Sequence, residues 1–199
     1  MGEHVIYPWT IVDGESFIQQ NEWIKTELFN KGVPLKFIRK PDDETEKRIE
    51  TVYKFLTGSR NFILLVSNRT AYVNSLFYYL AATWMTNTLK SFDMVDLARI
   101  KEDETLFPKM EYANLLMIPF NDSDNYQLRN VRNTLGSILI KRQVRNMPTL
   151  IELYDKQPPG NLSQNELLGK LQNLASLYGN QAASTFIDQT NNVKILKLG

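Results

Sequence analysis

NFILLVSNRTAYVNSLFYYLAATWM, residues Asn61 to Met85, joins a strand-like run to a helix-like run through a short polar turn. It opens with an unbroken apolar run, Phe62 to Val66, and passes through a polar turn, Ser67 to Ala71. From Asn74 its apolar residues recur at helical spacing. An apolar run without alternation predicts a strand buried on both faces, as in a parallel sheet. Strand, tight loop and helix in that order are the layout of a phosphate-binding loop, whose pattern is G-x-x-x-x-G-K-[ST]. The residues that would hold a phosphate are missing. Ser67 and Tyr72 stand at the two glycine positions, Val73 at the lysine and Asn74 at the hydroxyl residue. Such a loop grips polyphosphate through convergent backbone N–H groups, which need glycine geometry, and through the lysine charge.

Working outward, NLLMIPF (114–120) and TLIEL (149–153) are two further apolar runs of strand length. Ser91 to Val95 and the tail from Val193, VKILKL, complete the strand candidates. Helical patterns fall between them. Ser16 to Asn30 carries Phe17, Ile24 and Leu28 on one face, and Asp42 to Leu56 carries Ile49, Val52, Tyr53 and Leu56. Tyr126 to about Arg142 repeats Leu128, Val131, Leu135 and Ile138. Ser163 with Glu166 forms a capping box for a last helix that Gly179 ends. Lys101 to Lys109, charged and containing Pro108, reads as a loop. Strands separated by helices predict a three-layer α/β domain with a mainly parallel sheet. Residues 1–57 form a helical lead-in, and 58–199 form the core.

Composition narrows the function. A net charge of +1 marks no global field for nucleic acid or membrane. The absence of cysteine excludes disulfides and thiolate metal sites, and the single histidine, His4, removes a His-based metal site or a Ser-His-Asp triad. No apolar run is long enough for a membrane span, and MGEHVIYPW lacks the pattern of a signal peptide. A cytoplasmic protein is expected.

Five segments in order carry a likeness to a known group: KGVPLKF (31–37), the strand-loop-helix at 62–85, FDMVDLARIKED (92–103), NLLMIPF, and LGSILIKRQVRNMPTLIEL (135–153). Together they resemble the AAA+ ATPases of the bacterial helicase-loader and transposition-helper group, DnaC/DnaI-like and IstB-like. The resemblance implies a P-loop NTPase-like, AAA+-type core preceded by two helices. It sets 62–85 in the Walker A position, NLLMIPF in the Walker B position and the run to Leu153 in the sensor position. At the Walker B acids this chain has Pro119 and Phe120, with Asp122 and Asp124 beyond them. The polar sensor run is replaced by Glu152, Leu153 and Tyr154, and the nearest match to an arginine finger is Lys170. A lysine cannot reproduce a bidentate guanidinium contact.

Each lost electrostatic group is typically worth about 2.7–4 kcal/mol of transition-state stabilisation. The expectation is therefore a non-catalytic protein without bound ATP, magnesium or other metal. It would act through protein contacts in DNA replication, with a replicative helicase, a helicase loader or other AAA+ subunits as partners. Two alternatives stay open. No Asp or Glu lies between Asn125 and Ile151, while Arg129, Arg132, Lys141, Arg142 and Arg145 all do, so this surface can track DNA phosphates, dock an acidic partner, or be a solvated basic face. The other alternative is a nucleotide hydrolase with an unorthodox loop. The aromatic residues Phe77, Tyr78, Tyr79 and Trp84 are read as helix-to-sheet packing.

Overall fold

The structure, a computed structural model, describes residues 4–68, 70–97, 100, 105–120, 131–155, 163–188 and 193–198, with the backbone alone at 35, 70–74, 164, 167 and 198. A short hairpin, β1 (Ile11–Val12) and β2 (Glu15–Ser16), precedes α1 (Glu22–Asn30), so the first helix starts later than its apolar pattern. Gly32, at φ 76, carries the chain out of α1. The second helix, α2 (Asp43–Leu56), is capped by Asp42, whose carboxylate accepts from the Thr45 N–H at 2.8 Å.

The strand-loop-helix becomes β3 (Phe62–Ser67) and α3 (Thr70–Thr88). The helix begins at Thr70, so the polar turn is shorter than expected, and Tyr72, Val73 and Asn74 lie in the opening turns of α3. Next come β4 (Asp93–Met94) and α4 (Leu106–Tyr112). The expected loop at 101–109 is thus helical from Leu106, because Pro108 falls in the first turn of α4, where proline is tolerated. The apolar run NLLMIPF narrows to β5 (Leu116–Ile118), cut short by Pro119, which has no N–H for a ladder. The remaining elements are α5 (Arg132–Val144), β6 (Thr149–Tyr154), α6 (Gln164–Ala175), α7 (Asn180–Ile187) and β7 (Val193–Leu198). The capping box forms as expected, with Ser163 and Glu166 each bonding the other's backbone N–H. Gly179, at φ 93, separates a 3-10 turn (Ser176–Tyr178) from α7 and so starts a helix beyond the expected end.

All pairings in the five-stranded sheet are parallel, in the order β4-β5-β6-β3-β7. The closing strand sits beside β3 with Phe62 opposite Val193. Side-chain alternation splits the core into two layers. Ile63, Leu65, Met117 and Leu150 face one way, against α3 and the residues of α1 and α2. Phe62, Leu64, Val66, Ile118, Ile151 and Leu153 face the other, against α4, α5, α6 and α7. The aromatic run of α3 packs as read. Phe77 and Trp84 are buried, and Tyr78 and Tyr79 meet Phe37 at ring-centre distances of 5.0 and 5.2 Å. Helices on both faces of a parallel sheet make the three-layer, P-loop NTPase-like fold.

Candidate functional site

In an open parallel sheet, ligands bind in the crevice outside the carboxyl ends of the strands, where the chain order reverses. Here that edge is built from the exits of β3, β5 and β6. Ser67, the last residue of β3, is buried, and its carbonyl accepts from the Asp155 N–H at 2.9 Å, which prolongs the pairing past the end of β6.

Glu152 is the chemically unusual member of the edge. Alternation puts it on the same sheet face as Leu150, in the α3 layer, where it is only 1% exposed. Its Oε2 accepts from the Phe120 N–H at 2.9 Å. Its Oε1 has no hydrogen-bond partner among the described residues. Burial pushes its pKa up to about 7, and the single N–H from Phe120, which favours the ionised form, offsets only part of that. The Phe120 ring in turn stacks on Tyr154 at 5.1 Å. Next along β6, Asp155 is nearly buried and pairs with Lys170 of α6, Nζ to Oδ2 at 2.5 Å. Asn68, just beyond β3, has a buried Oδ1 without a partner among the described residues.

The edge therefore joins β5, β6 and α6 through side chains. Glu152 holds the backbone leaving β5, Phe120 and Tyr154 cover the exits, and Asp155 ties α6 to β6. Chemically this is a clasp. Pro119 and Phe120 follow β5, and the described carboxylates of this edge, Glu152 and Asp155, turn to the Phe120 N–H and to Lys170. No cluster of three or more potential metal ligands occurs among the described residues.

Of the expected edge positions, the structure brings Ser67, Phe120 and Glu152 together with Pro119 at the strand exits. For Tyr72, Val73 and Asn74 it gives the helical backbone alone. Asp122, Asp124 and Arg129 lie outside the described residues. Asp155 was not singled out in the sequence. Its partner, Lys170, is 15 residues away, and no short-range spacing announces such a pair.

The basic stretch requires one correction. Arg142 is not on the surface: it is 0% exposed and forms a buried hub. Its Nη1 donates to the carbonyls of Met110, Glu111 and Ala113 at 2.9, 3.3 and 2.9 Å, capping the end of α4. Its Nη2 donates to the Pro148 carbonyl at 2.7 Å, and Nε to Thr149 Oγ1 at 3.0 Å. Desolvation lowers its pKa to about 10, partly offset by the charge of Asp93, so it stays cationic at neutral pH. A guanidinium spent on five acceptors cannot track phosphates or dock a partner. Arg132, Lys141 and Arg145 are exposed, and the latter two share Glu111, at 3.2 and 3.3 Å.

No family model matches the chain, and no curated protein matches it. Among solved structures, the crystal structure of the DnaC helicase loader superimposes with a TM-score of 0.57 at 13% identity. The match covers 86% of this chain and 98% of that one. The fold is similar to a helicase loader's. At that identity the likeness carries the fold alone. Among the described residues no helix is long and apolar enough to cross a membrane.

Proposed function

We propose that this protein is a pseudo-ATPase: a non-catalytic accessory of DNA replication, working in the cytoplasm through contacts with a replicative helicase, a helicase loader or other AAA+ subunits. The observation that carries the reading is the clasp at the carboxyl edge. Phosphate loops of this fold class present a lysine and unpaired acids, whereas this edge turns Glu152 to the Phe120 N–H and Asp155 to Lys170. A scaffold kept without its chemistry retains the faces by which such proteins assemble. The helicase-loader fold supports replication as the setting and other replication proteins as the partners.

The test is assembly with purified components. Mixed with the replicative helicase and the helicase loader of its own host, the protein should form a stoichiometric complex by light scattering after size exclusion. That complex should form equally with and without Mg-ATP. A protein that stays apart from both, or joins only when ATP is added, overturns the proposal.

A further inference from the structure

On the sheet face opposite α1 to α3, helices α4 and α5 leave between them an open groove of about 520 Å³. Phe107 and Pro108 of α4 and Ile138 of α5 give it an apolar floor, and Thr134 and Ser137 supply small polar walls. A second groove of about 210 Å³ lies across α5, floored by Ile140, Tyr178 and Ala182. Asn133, Ser137 and Lys141 line both, so α5 is a ridge with a furrow on either flank.

The charge of this ridge is one-sided. Its exposed residues include Arg132 and Lys141, with Arg145 exposed just past its end, and there is no acid anywhere on α5. Among the described residues the acid at the groove is Glu111, which is shared between Lys141 and Arg145 and whose side chain is only 15% exposed. Two cations thus divide one inward-turned carboxylate, which leaves a net positive charge among the described residues of this face. Beside them stand two large apolar surfaces, Tyr112 at 67% exposure and Val144 at 77%.

An occupant of this face has to bring carboxylates for the cations and apolar side chains for the floor. We infer that the α4–α5 groove docks an acidic, amphipathic segment of a partner protein. A nucleic-acid strand fits less well. Phosphate tracking relies on a stripe of free cations with aromatic platforms between them. Here the described face offers three cations and not a stripe, the Arg145 guanidinium lies over the Tyr112 ring at 5.8 Å, and the floor of Phe107, Pro108 and Ile138 suits apolar side chains, not a phosphate backbone. The inference rests on the protein-contact half of the proposed function and is independent of the nucleotide edge.

The probe is a labelled synthetic peptide with Glu and Leu at helical spacing, titrated by fluorescence anisotropy at low salt. It should bind, and binding should weaken as salt rises. Lys141→Glu combined with Arg145→Glu should weaken it by about tenfold or more, because like charge then faces the peptide. Ser137→Trp should do the same by filling the groove. Unchanged urea midpoints for these surface variants show that the fold is kept. A Lys/Leu peptide of the same pattern should not bind. The inference falls if the acidic peptide does not bind, if its affinity ignores these substitutions, or if oligothymidylate displaces it, which would make this a nucleic-acid surface. Mg-ATP binding in a separate titration would overturn the pseudo-ATPase reading and leave the groove standing.

Discussion

Replacing Glu152 by glutamine should change how stability depends on pH. The carboxyl is buried, and its pKa rises from 4.5 in an open chain to about 7 in the fold. Between those values the folded protein holds a proton that the unfolded chain has released, so stability falls as pH rises through this window. The full penalty is present above pH 7 and absent below pH 4.5. A shift of that size corresponds to roughly 3 kcal/mol at about 1.4 kcal/mol per unit. Glutamine is neutral throughout and its carbonyl can still accept the Phe120 N–H. Its amide N–H groups take the place of an Oε1 that lacks a described partner, which adds a pH-independent cost of about 1–3 kcal/mol. The informative quantity is therefore the change in the difference between the two proteins, not its absolute value. Urea unfolding followed by tryptophan fluorescence at pH 4.5, 6 and 8 measures it. Between pH 4.5 and 8 the variant should gain up to about 3 kcal/mol on the wild type. A difference that stays flat across these pH values refutes the claim that Glu152 is held by burial rather than paired.

Substitutions at Arg142, at Gly136 and at the Lys170–Asp155 pair test the scaffold around the clasp. Arg142→Met should cost about 3–5 kcal/mol in urea unfolding, because the Met110, Ala113 and Pro148 carbonyls lose their donor, and Arg142→Lys should recover only part of it. Gly136→Ala should lower the melting temperature, with a loss of about 1–3 kcal/mol, since a Cβ there would stand 2.1 Å from the Tyr178 carbonyl oxygen. Lys170→Met should destabilise by about 1–3 kcal/mol by leaving Asp155 without its cation, and adding Asp155→Asn should restore most of the loss in a double-mutant cycle.

The three-layer fold was legible because apolar runs such as FILLV and TLIEL report burial on both faces whatever lies around them. The paired side chains were not. Glu152 looks like an emptied sensor position in the sequence, and only its register beside β5 shows that it grips the Phe120 N–H. Arg142 reads as a surface cation in the sequence for a physical reason. Its neighbours Lys141 and Arg145 are exposed cations, and charge alone groups the three. The helical stripe held the better signal, for Leu135, Ile138, Leu139 and Arg142 fall at i, i+3, i+4 and i+7, which sets the arginine on the buried face. The α4 helix escaped because a charged run with a proline resembles a loop, although proline in a first turn is compatible with a helix.

If the carboxyl edge of the sheet serves as a clasp and not as a nucleotide site, isothermal titration of the intact protein with ATP and magnesium should give no saturable heat across the millimolar range of nucleotide. Saturable binding at micromolar ATP would contradict it, and would return the phosphate-loop position of β3 and α3 to chemical service.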